Sequence, residues 1–307
     1  MFFTICIPTY NRAHTIIRAL DSLNEQEFKD FEVVIIDDGS TDDTTQVIND
    51  YKKTASFEIR YFKKENGGKH TALNVGIKKA RGEFFCILDS DDWFKAGALK
   101  EMYEECKKIA DNDEFSGIMG RSMINGKSLI GNKFPDDPFI SSYVDFHFFS
   151  GLKYGPFGDC CECNKTNILK QYHFPEPEEA KFVPEAYLFD QVGVKYKLLC
   201  TNRVYKNVEY LEEGISNTVD YKTKNIIGFL HHYVSRLDNV FPYVSNLPYK
   251  LKVIAWWRYW TAVKMDFNKT GPRVKHIPIL GYIVRIGTPI LNTLFKFYYK
   301  DLARKGR

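Results

Sequence analysis

Asp89, Asp91 and Asp92 stand within four residues, with Ser90 among them, directly after the apolar run Phe84-Phe85-Cys86-Ile87-Leu88. Carboxylates this close repel one another unless a cation sits between them. Oxygen ligands in such a row suit Mg²⁺ or Mn²⁺, with phosphate oxygens completing the shell. The plainer reading of the same residues is a polar turn ahead of a helix beginning near Ala96. A second acidic group, Asp37-Asp38-Gly39-Ser40-Thr41-Asp42, follows the apolar run Phe31 to Ile36. It reads equally as a helix N-terminus, with Ser40 or Thr41 as cap and Asp42 and Asp43 in the first turn.

Both clusters need elements to hold them. Phe2–Ile7 is a first strand, ending at Pro8-Thr9-Tyr10-Asn11-Arg12, and a helical pattern follows with Ile16, Ile17, Leu20 and Leu23 on one face. Phe31–Ile36 is the second strand, Phe57–Phe62 the third and Phe84–Leu88 the fourth; Thr71–Ala80 is a helix ending at Gly82. Strand, loop and helix thus alternate four times within residues 1–95. That alternation predicts an α/β fold with a doubly wound, mostly parallel sheet. The polar clusters all fall at carboxyl ends of strands, where such sheets bind ligands, and this favours the metal reading of the aspartates. No GxGxxG follows the first strand and no GxxxxGK[ST] occurs, which argues against a dinucleotide dehydrogenase and a P-loop NTPase.

The chain's 307 residues suffice for one large domain or two smaller ones. Seven scattered cysteines without regular spacing predict a reducing compartment rather than a disulfide framework. Met1 to Pro8 has no basic leader and runs straight into structure, so no signal peptide is expected. Net charge is +4, but it is unevenly spread: residues 221–307 carry 16 basic and 3 acidic residues, a net of +13, leaving −9 for residues 1–220. An acidic body with a basic extension predicts an anionic partner for the extension.

Four stretches in order carry a resemblance: Pro8-Thr9-Tyr10-Asn11; Asp37-Asp38-Gly39-Ser40-Thr41-Asp42; Asn66-Gly67-Gly68 with Asn74 and Gly76; and Asp89-Ser90-Asp91-Asp92. Together they resemble family 2 of the glycosyltransferases on the GT-A fold, of the bacterial surface-polysaccharide type. Residues 159–215 are more loosely similar, through Phe182-Val183-Pro184-Glu185. The resemblance implies a catalytic domain over 1–220, with nucleotide-sugar binding in 1–95 and the acceptor side and base in 96–220. A mainly helical extension follows over 221–307. It also implies a UDP-sugar donor, Mn²⁺ or Mg²⁺, inversion at the anomeric carbon, and a glycan or lipid-linked acceptor in cell-surface glycan synthesis.

On that resemblance Thr9 and Tyr10 line the base pocket, Asp38 accepts the uracil imide N–H with Asp37 supporting that loop, and Pro8, Asn11 and Gly39 belong to the nucleotide-sugar site. Lys69 meets the diphosphate as a mobile cation, its plain alternative being a solvated loop lysine. Asn74 and Ser90 belong to the donor site. Asp91 is the metal ligand, and Asp89 a second ligand or ribose contact. Glu185 is the general base, set by the extended Phe182-Val183-Pro184 approach at the start of a helix over Ala186–Lys195. Family members often carry an acidic pair at this point, whereas Ala186 follows Glu185 here. Asp190, one helical turn on, is the reserve.

Cys160-Cys161-Glu162-Cys163 lacks the second cysteine or histidine pair of a zinc site. Asp159 lies where the family segment often has an aspartate and is expected to shape the acceptor pocket. His231-His232 reads as ordinary helix surface. In the extension, Trp256, Trp257 and Trp260 interleave with lysine and arginine. This predicts an interfacial helix on an anionic leaflet, on the cytoplasmic face of the cell membrane, while a packed helical subdomain is the alternative. Pro278, Arg285 and Pro289 argue against a spanning helix. Nucleic acid is not expected as a partner, since the body is acidic and no nucleic-acid module appears. Two other functions fit less of the sequence. One is a nucleotide-sugar-binding protein that has lost turnover. The other is a sugar nucleotidyltransferase, which would need a glycine-rich loop with arginine after the first strand.

Overall fold

The structure, a computed structural model, describes residues 1–209 and 221–305, with 294–305 as backbone. Its first half is β1 (Phe3–Thr9), α1 (Ile16–Asn24), β2 (Phe31–Asp37), α2 (Thr44–Tyr51), β3 (Glu58–Lys63), α3 (Lys69–Lys79), β4 (Phe84–Ile87), β5 (Trp93–Phe94) and α4 (Ala98–Lys107). There follow β6 (Phe115–Ile124), β7 (Ser128–Leu129), β8 (Phe139–Ser141), α5 (Gly151–Tyr154), β9 (Cys160–Lys165), α6 (Thr166–Leu169), α7 (Ala186–Lys195) and β10 (Lys197–Val208). The extension holds α8 (Tyr221–Lys224), α9 (Ile226–Ser235), α10 (Tyr249–Met265) and α11 (Ile279–Lys305). The expected boundary at residue 220 lies outside the described residues.

One ten-stranded sheet runs β3-β2-β1-β4-β9-β6-β10-β5, with β7 beside β6 and β8 beside β10. β3, β2, β1 and β4 are mutually parallel, and β6 is parallel to β10. β9 is inserted antiparallel between β4 and β6. Both faces of the parallel half are covered, and the period-two alternation of each strand shows why. Ile5, Ile7, Val33 and Ile35 pack with Ile16, Leu20 and Ile48 of the helices on one face. Cys6, Val34 and Ile36 pack with Ala72, Leu73 and Ile77 on the other. This is the doubly wound α/β arrangement that the strand–helix alternation predicts, with a mixed second half that it does not.

The helix expected after Asp38 begins later than read. Asp43 occupies the N-cap of α2, and Asp42 accepts from the Thr44 backbone at 3.0 Å and hydroxyl at 2.6 Å, so neither Ser40 nor Thr41 caps. α4 begins at Ala98 rather than near Ala96. α7 spans the expected Ala186–Lys195. All seven cysteines are free and buried.

The tryptophans of the extension do not form an outer surface. Trp256 and Trp260 are buried with Ile227, Leu230, Tyr259 and Val284 in a core shared by α9, α10 and α11. The interfacial reading of α10 placed them outward because the sequence shows composition, not the neighbouring helices that use it. His232 is likewise corrected from surface to interior. It is 5 % exposed, and burial holds it well below the ordinary histidine value. Among the described residues no helix is long and apolar enough to cross a membrane.

Candidate active site

The carboxyl ends of β1, β2 and β4 meet at one edge of the sheet. The acidic turn is tightened there: the Asp92 backbone donates to the Asp89 carbonyl at 3.0 Å. Arg18 donates to the Asp91 carbonyl and stacks 4.0 Å over Trp93. The polar-turn reading of these aspartates is thus what the backbone shows.

Lys69, the first residue of α3, joins two distant segments. Its ammonium lies 2.6 Å from Asp89 Oδ1 and 2.7 Å from Glu185 Oε1. Burial opposes its charge, but the two carboxylates overcome this and raise its pKa. Burial likewise works against ionised Asp89, yet Lys69 and then Lys206 hold it below the usual carboxylate range. Among the described residues no other side chain bonds to the Asp91 carboxylate, and burial, reinforced by Asp89, pushes it up. Among the described residues no three His, Cys, Asp or Glu side chains are grouped as for a metal ion. Asp89 and Asp91, the latter bonded to no other side chain among the described residues, nonetheless fit Mg²⁺ or Mn²⁺ of the kind that draws its remaining ligands from substrate phosphates and water.

Behind the turn lies a cation that the sequence reading missed. Lys206 of β10 is 8 % exposed; it is 2.9 Å from Asp92 and 4.0 Å from Asp159. Burial opposes its charge, but Asp159, Asp92 and Asp89 raise its pKa well above the ordinary value. No local pattern marks Lys206. The antiparallel β5–β10 pair delivers it, with Lys206 opposite Phe94. Glu162 of β9 was also passed over. Burial pushes its carboxyl up to about 8, with Asp159 and Glu185 adding to the effect against Lys206. His70, beside Lys69, is 1 % exposed with both ring nitrogens unpartnered among the described residues, and burial lowers it to about 4.

Several expected donor residues serve the scaffold. Asp38, read as the uracil contact, accepts Gly67 N–H at 2.9 Å, Gly68 N–H at 2.6 Å and Lys64 Nζ at 2.7 Å. Both its oxygens thus tie β2 to the glycine loop. That loop is also clamped from the other side. Gly68 has φ +96°, and a Cβ there would stand 1.9 Å from the Lys181 carbonyl, so glycine is required. Asn74 is corrected from donor site to brace: it accepts from Phe174 N–H at 2.9 Å and donates to the Phe174 carbonyl at 2.9 Å and to Glu176 at 2.7 Å. Asp37 is wholly buried; Ser40 N–H and Tyr61 O–H donate to it at 2.7 and 2.6 Å. Asn11 Oδ1 accepts Thr41 N–H at 2.8 Å, tying the end of β1 to that of β2. Gly39 takes φ +85° where Asn66 crowds it.

Pro8, Thr9 and Ser90 are buried beside the edge, with Thr9 Oγ1 unpartnered, and Tyr10 is 44 % exposed. Asp190 is corrected too. It is fully buried, held by His147 and by Arg236 Nε at 2.6 Å, and so closed to an acceptor.

A model of the family described as "Glycosyl transferase family 2" matches residues 4–164. A Rickettsia felis protein named an uncharacterized glycosyltransferase is 47 % identical over 254 residues, 81 % of this chain and 38 % of the relative. Staphylococcus aureus TarS, a poly(ribitol-phosphate) beta-N-acetylglucosaminyltransferase, is 38 % identical over 199 residues, 61 % of this chain and 33 % of its own. The chain thus spans only about a third of either relative's length. The crystal structure of S. aureus TarS 1–349 in complex with UDP-GlcNAc shares the fold at TM-score 0.59 and 20 % identity, covering 94 % of this chain and 89 % of that one. The Pyrobaculum calidifontis mannosyltransferase PcManGT in complex with GDP-Man and Mn²⁺ does so at 0.56 and 17 %, covering 94 % and 79 %. The fold is the GT-A fold of glycosyltransferases, and the chain belongs to glycosyl transferase family 2.

Proposed function

We propose that the chain is an inverting, metal-dependent glycosyltransferase. It would move a sugar from a UDP-sugar to a lipid-linked or polysaccharide acceptor in cell-surface glycan synthesis, at the cytoplasmic face of the membrane. The observation that carries this reading is the Lys69 bridge between Asp89 and Glu185. It joins the carboxylate read here as donor-side and the one read as acceptor-side through one ammonium, and this supports a site for a sugar diphosphate between the two segments. The UDP-GlcNAc and GDP-Man·Mn²⁺ complexes of proteins with the same fold support a nucleotide-sugar donor and a divalent ion here.

Asp91 and Asp89 would hold that ion, whose charge offsets the negative charge of the departing nucleotide. Lys69 exchanges its two carboxylates for diphosphate oxygens when the donor enters. Glu185 is then released to accept the acceptor hydroxyl proton at its carboxylate, as the oxygen attacks the face opposite the leaving group. Tyr10 offers the base an exposed ring, and Thr9 Oγ1 an unpaired hydroxyl. Asp190 takes no part in proton transfer.

The test is a panel of UDP-sugars assayed for UDP release with and without Mn²⁺. Metal-dependent release that Glu185→Gln slows about 10²–10⁴-fold, at unchanged donor affinity, supports the reading. Tight UDP-sugar binding without turnover for any sugar or acceptor extract would favour a binding protein instead.

A further inference from the structure

α11 is apolar on two opposite faces. Gly281, Val284 and Thr288 are buried on one, where Val284 packs in the core with Trp256 and Trp260. On the other, Ile279, Tyr282, Ile283, Ile286 and Ile290 are 81, 51, 60, 82 and 66 % exposed. Their spacing of three and four residues places them on a single stripe. Phe267, between α10 and α11, is 88 % exposed. A contiguous bare apolar stripe of this kind marks an interaction surface.

The charge beside it is of one sign. Lys264, Lys269, Arg273, Lys275 and Arg285 are exposed. The sole acid in residues 264–293 is Asp266, buried and held by Arg273 at 2.9 Å. Between α10 and α11 an open groove of about 230 Å³ is lined by Lys250, Val253, Ile254, Trp257 and Leu291.

We propose that this outer face of α11 is a docking surface for an anionic lipid leaflet, with the helix lying in the plane of the interface. Aliphatic side chains enter the acyl boundary while the flanking lysines and arginines meet headgroup phosphates. The groove offers space for part of an acyl chain beside a lysine. A second copy fits the face less well, since it would set one strongly basic surface against another. The proposal rests on the extension alone and stands whether or not the transfer chemistry is as read above.

The 307-residue chain is floated with vesicles of phosphatidylcholine alone or mixed with phosphatidylglycerol. Binding is expected to the mixed vesicles at low salt, with release as salt screens the headgroup field. The double variant Ile283→Glu with Ile286→Glu, both at exposed positions, should partition at least about ten-fold less. Its thermal unfolding should match that of the parent, which separates lost docking from lost folding. In a second variant, Ile286→Trp, the tryptophan emission added over the parent's should shift to the blue on mixed vesicles only. Failure of the parent to bind mixed vesicles, or equal binding by the double variant, overturns the proposal. So does a dimer in light scattering that the same double variant dissociates, which would make the face an interface between copies.

Discussion

Lys69 Nζ and Glu185 Oε1 are 2.7 Å apart although 116 residues separate them in sequence, and Asp89 shares the same ammonium at 2.6 Å. One ammonium thus holds two carboxylates from distant segments of the chain. Lys69→Met should leave two carboxylates facing each other and remove the cation meant for the diphosphate. The expected result is UDP binding weaker by about 1.5–3 kcal/mol, the range for charge-assisted hydrogen bonds, measured by calorimetry. Unchanged UDP affinity would make Lys69 a purely structural bridge.

Among the described residues no other side chain bonds to Asp91, whose carboxyl is raised by burial and by Asp89. Removing its charge relieves that crowding, so Asp91→Asn should fold with unchanged or slightly higher thermal stability. Mn²⁺-dependent UDP binding should be lost. A variant that keeps its Mn²⁺-dependent UDP affinity shifts the ion to another group.

Asp38 receives two backbone N–H groups and an ammonium. Asp38→Ala would strand these donors in a part-buried loop, at a cost of about 1–3 kcal/mol in folding stability. Chemical denaturation measures it. Full stability combined with lost preference for UDP over CDP would return Asp38 to the base-reading role expected from the sequence.

Acid should unfold the chain in two stages. Burial opposes ionised Asp190, but Arg236 and then His147 hold it well below the usual range. Burial keeps His232 neutral, and it lowers His70 to about 4. In each case the folded chain binds fewer protons than the unfolded chain, so stability falls as pH falls. The histidine share drains below about pH 6.5 and the Asp190 share below about pH 4. Glu162, raised to about 8, has the opposite sign and offsets part of this loss above about pH 4.5. The histidine share is therefore read by difference: between pH 7 and 5 the urea midpoint of the wild type should fall relative to that of His232→Gln. Parallel midpoints in the two proteins contradict the histidine share.

What the sequence revealed and what it hid divide along a physical line. β1, β2 and β4, the bounds of α7 and the meeting of the polar clusters at one sheet edge were all readable, because they rest on periodicity and on turn residues next to strands. Lys206 was not, because only the antiparallel seating of β10 beside β5 brings it under Asp92. Asp38, Asn74 and Asp190 have the right chemistry for a site, yet their partners, Gly68, Phe174 and Arg236, come from elements remote in the chain. Trp256 and Trp260 misled for the same reason: an aromatic stripe looks alike whether it meets lipid or a neighbouring helix.

The Phe182 carbonyl stands 1.9 Å from where a Cβ on Gly228 would lie, and the Phe182 ring packs 5.9 Å from that of Phe229. Three residues further along the same segment comes Glu185, and Arg236, just beyond α9, holds Asp190 within α7. The extension is therefore a splint for the segment that carries Glu185 rather than a removable handle. For protein engineering this rules out cutting near residue 220 to obtain a minimal enzyme, and it rules out grafting these helices onto another body as an interchangeable cassette. A chimera would have to carry residues 181–190 together with α9 as one cartridge.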